Sequence, residues 1–325
     1  MSADIPDTDN PSFYVRGKTL ISKQTLAEID KHYNGGLTAW KARNKAALET
    51  HKSVKEHFHI AVTQLFETYK KRHNDALPFL GRLIACKSSR PCGQVICPAC
   101  RTAKQKEAAA KAAKHFSDYN QSDLRFMTLL VRVVPDPSDV ADQIKPLRIK
   151  LQNALKNNRA GLGLSSNPLK ILGAFEVDLK NLGTQWDMSI ENRKMLKQLG
   201  FTTDRKTNKP QYLVHLHAIV GHIDDDRKEK LREIIAKALG QETLIPNQLR
   251  FSSLHSTRDK SKNLDTLAHY MYKMRLQLAD NIRETDRMEK RKKYHTPITG
   301  KALVAYLQAM QNSANFKGLK FEFGL

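Results

Sequence analysis

Long apolar runs are missing from this chain. No stretch approaches the roughly 20 residues that a membrane-spanning helix needs, so no membrane partner is expected. Acidic charge is scarce too: 33 Asp and Glu stand against 55 Lys and Arg, leaving a formal net charge of +22. Such an excess implies a polyanionic partner, and nucleic acid fits better than a lipid surface. No Gly-x4-Gly-Lys-Ser/Thr sequence occurs, so a fused P-loop helicase is not expected. Internal repeats and low-complexity tracts are also lacking. The apolar content of 40% over 325 residues suffices for a main domain and a smaller one. The opening Met1 to Asn10 is polar and acidic, without the apolar core of a secretory signal, and a cytoplasmic location is expected.

Cysteine is rare and clustered. All four lie between Cys86 and Cys100, in the spacing Cys-x5-Cys-x4-Cys-x2-Cys. In a reducing compartment such a cluster reads as metal binding before disulfides. Cys86, Cys92, Cys97 and Cys100 can surround one tetrahedral Zn²⁺, the Cys-Pro-x-Cys end closing the site as a knuckle. Reactive thiols are the alternative, although a redox pair needs neither two further cysteines nor a basic surround. His57 and His59 are competing ligands.

Residues 1–20 read as a flexible lead-in, and residues 21–120 as a helical region that carries the cysteine module. After Asp123 strands and helices alternate. Leu124 to Val134 reads as a strand, and 139–158 as a helix with Ile144, Leu147, Leu151 and Leu155 in one stripe. A strand follows at Ile171 to Leu179, then a basic insertion from Asn181 to Lys209 with Trp186 and a short helix. Next come a strand at Gln211 to Val220, a helix near Asp226 to Leu239, a strand at Leu249 to Leu254 and a helix from about Leu264 to Ala279. The order from 124 to 254 is that of a ferredoxin-like split βαβ arrangement, an α+β fold with an antiparallel sheet. Residues 283–325 hold a basic segment, with Arg287, Arg291, Lys292 and Lys293, and a last helix near Lys301 to Gln311.

The strand from Gln211 to Val220 carries His215 and His217. Because successive strand side chains point to opposite faces, Val214, Leu216, Ala218 and Val220 build core while both imidazoles project from the other side. Two imidazoles so spaced can grip one metal ion, with a third ligand from a neighbouring strand. Glu176 is the candidate, on the face opposite Phe175, Val177 and Leu179. The alternative is a half-buried strand whose histidines face solvent.

In Asn263 to Arg275, Leu264, Leu267, Ala268, Met271, Met274 and Leu278 recur at helical spacing as a packed stripe. At about 100° per residue, Thr266, His269, Tyr270 and Lys273 cluster on the opposite side, with Tyr272 on the other flank. Tyr270 and Lys273 can therefore address one site, or be an ordinary surface pair. A tyrosine of ordinary pKa about 10 is a poor nucleophile at neutral pH. A nearby Lys⁺ stabilises its phenolate, and a metal ion can polarise an attacked phosphate.

With these residues in view, the chain resembles the HUH endonucleases, and among them the bacterial plasmid rolling-circle replication initiators. Phe126-Met-Thr-Leu-Leu130 is similar to the family's first motif strand, His215-Leu-His217 to its His-hydrophobic-His motif, and Tyr270-Met-Tyr-Lys273 to its nucleophile motif. Glu176 stands where the third ligand is commonly found, and the cysteine cluster is similar to one carried ahead of the nuclease fold in some initiators. The likeness covers residues 85–280, and 121–282 then corresponds to the HUH endonuclease domain. It implies Mg²⁺ or Mn²⁺ held by His215, His217 and Glu176, and attack by Tyr270 on single-stranded or extruded origin DNA. The product is a 5′-phosphotyrosine and a free 3′-hydroxyl that primes synthesis. Lys273 positions the phosphate or metal, while the zinc module and Arg287 to Lys293 hold DNA by backbone charge. Met274 stands where some relatives carry a second tyrosine, which implies a single-tyrosine mechanism. Unwinding would fall to a host helicase, within the replication machinery of a plasmid-bearing bacterial cytoplasm. Three other readings stay open: a transposase or relaxase of the same chemistry, a zinc-containing DNA-binding regulator without catalysis, and an iron oxygenase built on two histidines and a carboxylate.

Overall fold

Period-two apolar alternation gives way to helical periodicity again and again after Asp123, and the elements follow it. A computed structural model gives the structure, which describes residues 62–63, 66–67, 77–86, 91–94, 96–137, 139–162, 169–180, 189–202, 211–272, 277–279, 295–297, 306 and 316–325. Contacts divide the chain into two compact units, Met1–Leu80 and Gly81–Leu325. In the first, the described residues are helical, with Val62, Phe79 and Leu80 buried; helix α1 (Leu77–Ile84) runs through the division. The expected lead-in, most of the N-terminal helical region, Lys273, Arg287, Arg291, Lys292 and Lys293 lie outside the described residues.

The second unit opens with the cysteine loop and α2 (Pro98–His115), then β1 (Leu124–Val134), α3 (Asp139–Asn157) and β2 (Lys170–Lys180). After these come α4 (Ile190–Gln198), β3 (Gln211–Gly221), α5 (Asp225–Leu239), β4 (Leu249–Ser253) and α6 (Lys260–Tyr270). A two-stranded pair, β5 (Gln277–Ala279) with β6 (His295–Pro297), and a turn of helix α7 (Phe316–Leu319) lead to β7 (Lys320–Phe323). Helix starts obey local chemistry. Ser189, Asp224 and Asp259 cap α4, α5 and α6 by accepting the backbone N–H of Asn192, Arg227 and Lys262, and Gly240 ends α5 in the left-handed conformation.

The fold is α+β, with a five-stranded antiparallel sheet in the order β4-β1-β3-β2-β7. The connectivity β1-α3-β2-β3-α5-β4 is the split βαβ order, so β3 lies between β1 and β2. Helices α3 and α5 pack on each other, and α3 on β3. Helices α2 and α6 pack together over the opposite face, where Ala108, Ala112, Phe116, Leu264, Ala268 and Met271 meet Leu172, Ala174 and Ile219.

One alternative falls and two expectations change. The reading in which the histidines of β3 face solvent does not hold, because all eleven residues of the strand are buried: α2 and α6 cover it. The helix expected from Leu264 to Ala279 starts earlier and stops at Tyr270, since Gln277–Ala279 pairs as a strand with His295–Pro297. His269, expected beside Tyr270 on the open side, is buried, its Nδ1–H donating to the Asp265 carbonyl at 2.8 Å.

Strand β2 lies unusually close to β3 at Gly173. A Cβ there would meet the His217 carbonyl oxygen at 2.5 Å and the Ala218 Cβ at 2.6 Å. Gly173→Ala must push the two strands apart, and overpacking of this kind costs about 1–3 kcal/mol. A urea titration is expected to register that loss, and metal affinity should fall with it because Glu176 and His215 are partners across this ladder.

Candidate active site

The register that pairs the strands also assembles the site. Glu176 stands opposite His215, Ala174 opposite His217, and Thr128 opposite His217 from the other side. Since β2, β3 and β1 all turn these positions toward one face, four side chains from three strands converge: Glu176, His215, His217 and Thr128. The Nε2 atoms of His215 and His217 lie 3.2 and 3.5 Å from the same Glu176 oxygen, Oε2. All three groups are buried, and their ligand atoms lie within 4.8 Å of one another.

The two other ring nitrogens are occupied. His215 Nδ1–H donates to the Leu213 carbonyl at 3.4 Å, and His217 Nδ1 is hydrogen-bonded to Thr128 Oγ1 at 3.0 Å. Both rings thereby turn Nε2 toward the carboxylate, which is the orientation a shared metal requires. Metal bonds of about 2.1 Å place neighbouring ligands about 3–3.5 Å apart, and the observed separations match. The three residues fit a divalent cation. Burial disfavours a charged His215, but the Asp178 and Glu176 carboxylates outweigh it and hold its pKa above the ordinary value. A proton and a metal therefore compete for that ring.

Thr128 was not singled out beforehand, although it is the central residue of Phe126–Leu130 and its place on the histidine face follows from counting by twos from Phe126. Thr128→Val keeps the shape and removes the oxygen. Outer-shell losses of this kind cost about tenfold or more in metal affinity. Isothermal titration with Mn²⁺ is expected to read that drop, with thermal stability nearly unchanged.

Tyr270 reaches the same face from the last residue of α6. Its ring stands edge-on to His217, with centroids 4.9 Å apart, and edge-on to Phe126 at 5.6 Å; Phe126 in turn stacks on His217 at 5.4 Å. Tyr270 is half-buried, between site and solvent. Tyr272, two residues on, turns away: it is 5% exposed, packs in the core among α2 and α6, and burial pushes its phenol well above the ordinary range.

The cysteine cluster closes on one point. Cys86 Sγ lies 3.6 Å from Cys100 Sγ and 3.5 Å from Cys97 Sγ, and Cys92 Sγ lies 3.6 Å from Cys100 Sγ. None is in a disulfide. A tetrahedral ion with sulfur bonds of about 2.3 Å needs sulfurs about 3.8 Å apart, whereas a disulfide needs about 2.05 Å. The four thiols suit a metal. Cys97 caps α2 ahead of Pro98; the adjacent Cys92 thiol brings it down to about 5, with the backbone N–H groups of Cys100 and Ala99 assisting against burial.

Helix α2 ties that cluster to the tyrosine. It runs antiparallel to α6: Lys260 Nζ donates to the Tyr119 carbonyl at 2.9 Å at one end, and Gln105 Nε2 to the His269 carbonyl at 3.0 Å at the other. Two further groups went unnoticed in the sequence. Arg101, half-buried in the first turn of α2, has its pKa lowered by burial while Tyr306, Glu176 and Cys97 act to raise it. Fully buried Tyr306 donates its hydroxyl to the Val177 carbonyl at 3.3 Å. No sequence pattern marks either one, because tertiary packing alone brings Tyr306 to β2 and α2 alongside α6.

No family model, curated protein or solved structure matches the chain. Among the described residues, no helix is long and apolar enough to cross a membrane.

Proposed function

We propose that the chain is a metal-dependent tyrosine endonuclease and strand transferase of the HUH type, nicking and rejoining origin DNA in rolling-circle plasmid replication. One observation carries this reading: the Tyr270 ring is 4.9 Å from His217, on the side of the sheet where Glu176, His215 and His217 converge. A phenol beside a carboxylate and two imidazoles suits transfer of a phosphodiester to tyrosine. The net charge of +22 supports a nucleic-acid partner, single-stranded or extruded.

Mg²⁺ or Mn²⁺ held by Glu176, His215 and His217 would polarise the scissile phosphate and neutralise its developing charge. The Leu213 carbonyl holds His215 in the required tautomer, and the Thr128 hydroxyl orients the His217 ring. The Tyr270 oxygen attacks phosphorus, the bond from phosphorus to the 3′-oxygen breaks, and that oxygen leaves with a proton equivalent to the one lost by the phenol. The 5′-phosphate stays on Tyr270, and attack by a 3′-hydroxyl reverses the step without ATP. Zn²⁺ in the Cys86, Cys92, Cys97 and Cys100 cluster would fix the start of α2, Lys273 would position the phosphate or metal, and Arg287, Arg291, Lys292 and Lys293 would add backbone contacts to DNA.

The test uses the full chain with Mn²⁺ and single-stranded oligonucleotides from its own replicon, followed by mass spectrometry. A nucleotide linked to Tyr270 is expected, and a supercoiled plasmid carrying the origin should be nicked and retained at its 5′ end. DNA binding with no covalent adduct under either metal would overturn the reading in favour of a non-catalytic DNA-binding protein.

A further inference from the structure

Arg101 is a charged group for which the proposed reaction has no role so far. Arg101 follows Cys100 directly, and its backbone N–H donates to the Cys97 carbonyl at 2.9 Å, so the cysteine cluster fixes where its side chain starts. Four residues later on the same side of α2, Gln105 holds the His269 carbonyl, one residue before Tyr270. A rise of about 1.5 Å per residue sets Arg101 about 6 Å beyond Gln105, in the direction in which α6 runs out at Tyr270. The Glu176 carboxylate is among the charges that favour a charged Arg101 and disfavour an ionised Tyr306. Tyr306 is hydrogen-bonded to Val177, the neighbour of Glu176. The packing thus sets Arg101 at the end of α2 nearest Tyr270, within electrostatic reach of the metal-ligand carboxylate.

We infer that Arg101 is a second cationic group of the active site, carried there by the cysteine module, which shares the Glu176 carboxylate before substrate arrives and faces the phosphodiester afterwards. The charge balance favours such a group. One carboxylate and two neutral imidazoles around a divalent ion leave a single net positive charge. A phosphodiester cancels it, so the extra charge of a five-coordinate phosphorus is left to side-chain cations, Lys273 among them. A guanidinium supplies one, in a planar fork that matches either carboxylate or phosphate oxygens. The role also fits the position of the cysteine loop at the start of α2, which packs along the tyrosine helix.

This inference rests on the metal site proposed above and is tested without DNA cleavage. With no substrate present, Arg101 and the metal compete for one carboxylate, so removing the arginine should tighten metal binding. A residue that merely braced the loop would loosen it. Zinc-loaded full-length Arg101→Gln and Arg101→Met are titrated with Mn²⁺ by electron paramagnetic resonance, with zinc content measured on each. Mn²⁺ is expected to bind about tenfold tighter than to the unmodified chain, whereas single-stranded DNA in the presence of Mn²⁺ binds more weakly, its salt slope reduced by about one. Unchanged or weaker Mn²⁺ binding in a zinc-retaining variant overturns the proposal. Loss of zinc from both variants also overturns it, assigning Arg101 to the loop. Tighter Mn²⁺ binding in a chain that never forms a DNA adduct would uphold Arg101's place beside Glu176 while removing the nuclease reading. Normal adduct formation with unchanged Mn²⁺ affinity would do the reverse.

Discussion

Tyr270→Phe is expected to abolish the covalent protein–DNA adduct and to lower metal-dependent nicking by at least about 10³-fold, the scale on which loss of a nucleophile is felt. Binding of origin DNA should stay within about twofold. The substitution removes one oxygen and keeps the ring, so the edge contacts to His217 at 4.9 Å and to Phe126 at 5.6 Å persist. His217 then keeps its place between Thr128 and Glu176, and Mn²⁺ affinity measured on the variant should match the parent. That pattern separates a lost nucleophile from a damaged site. Adduct yield on a denaturing gel and Mn²⁺ titration together read it.

Tyr272→Phe is the matched control. Its ring is 5% exposed and packed with Leu264, Ala268 and Met271, and burial holds its phenol in the neutral form. A buried neutral phenol cannot reach a phosphodiester, so nicking should change by less than about twofold. Equal loss in both variants would mean that the wrong phenol has been chosen, or that the end of α6 rearranges enough to exchange them.

Much of this site was readable from residue order, because strands encode their geometry in a period of two. Glu176, His215 and His217 could be put on one face by counting, and the order of elements from Leu124 to Leu254 brought their strands together. What could not be counted was what lies over that face. Burial of His215 and His217 comes from α2 and α6, segments more than a hundred residues before and some fifty after the histidines, and local alternation says nothing about them. The end of α6 was misread for a related reason. Residues 271–280 hold no glycine or proline to stop a helix, and the strand at Gln277–Ala279 exists because it pairs with His295–Pro297. One miss was avoidable: Leu319, Phe321 and Phe323 alternate with Lys320 and Glu322, a visible edge-strand pattern that adds β7 beside β2. Arg101 was beyond reach, since only the antiparallel packing of α2 on α6 carries a residue next to a cysteine toward the end of the tyrosine helix.

That packing leads to the second large effect. Removing the metal from the four cysteines, by a strong chelator or by Cys100→Ser, is expected to lower the thermal midpoint by about 10–20 °C and to abolish adduct formation. Zinc binding in small modules contributes about 10–16 kcal/mol to folding, because the site does not pre-exist in the unfolded chain. Here part of the module is also held by Ala108, Ala112 and Phe116 in the core, so about 5 kcal/mol should be lost, and each kcal/mol moves the midpoint by about 2–4 °C in a unit of this size. The chemical loss exceeds the thermal one. Two of the four sulfurs belong to Cys97 and Cys100, at the cap and first turn of α2, and with them free that turn no longer has a fixed start. Gln105 then loses its hold on the His269 carbonyl, and Tyr270, the next residue, loses its place against His217. Mn²⁺ added back cannot restore the adduct, because a tetrahedral thiolate site prefers Zn²⁺ and the fault lies in the helix. Reactive thiols predict the opposite: chelation would leave the midpoint and the adduct unchanged, and an alkylating reagent would label the cysteines as readily before chelation as after it.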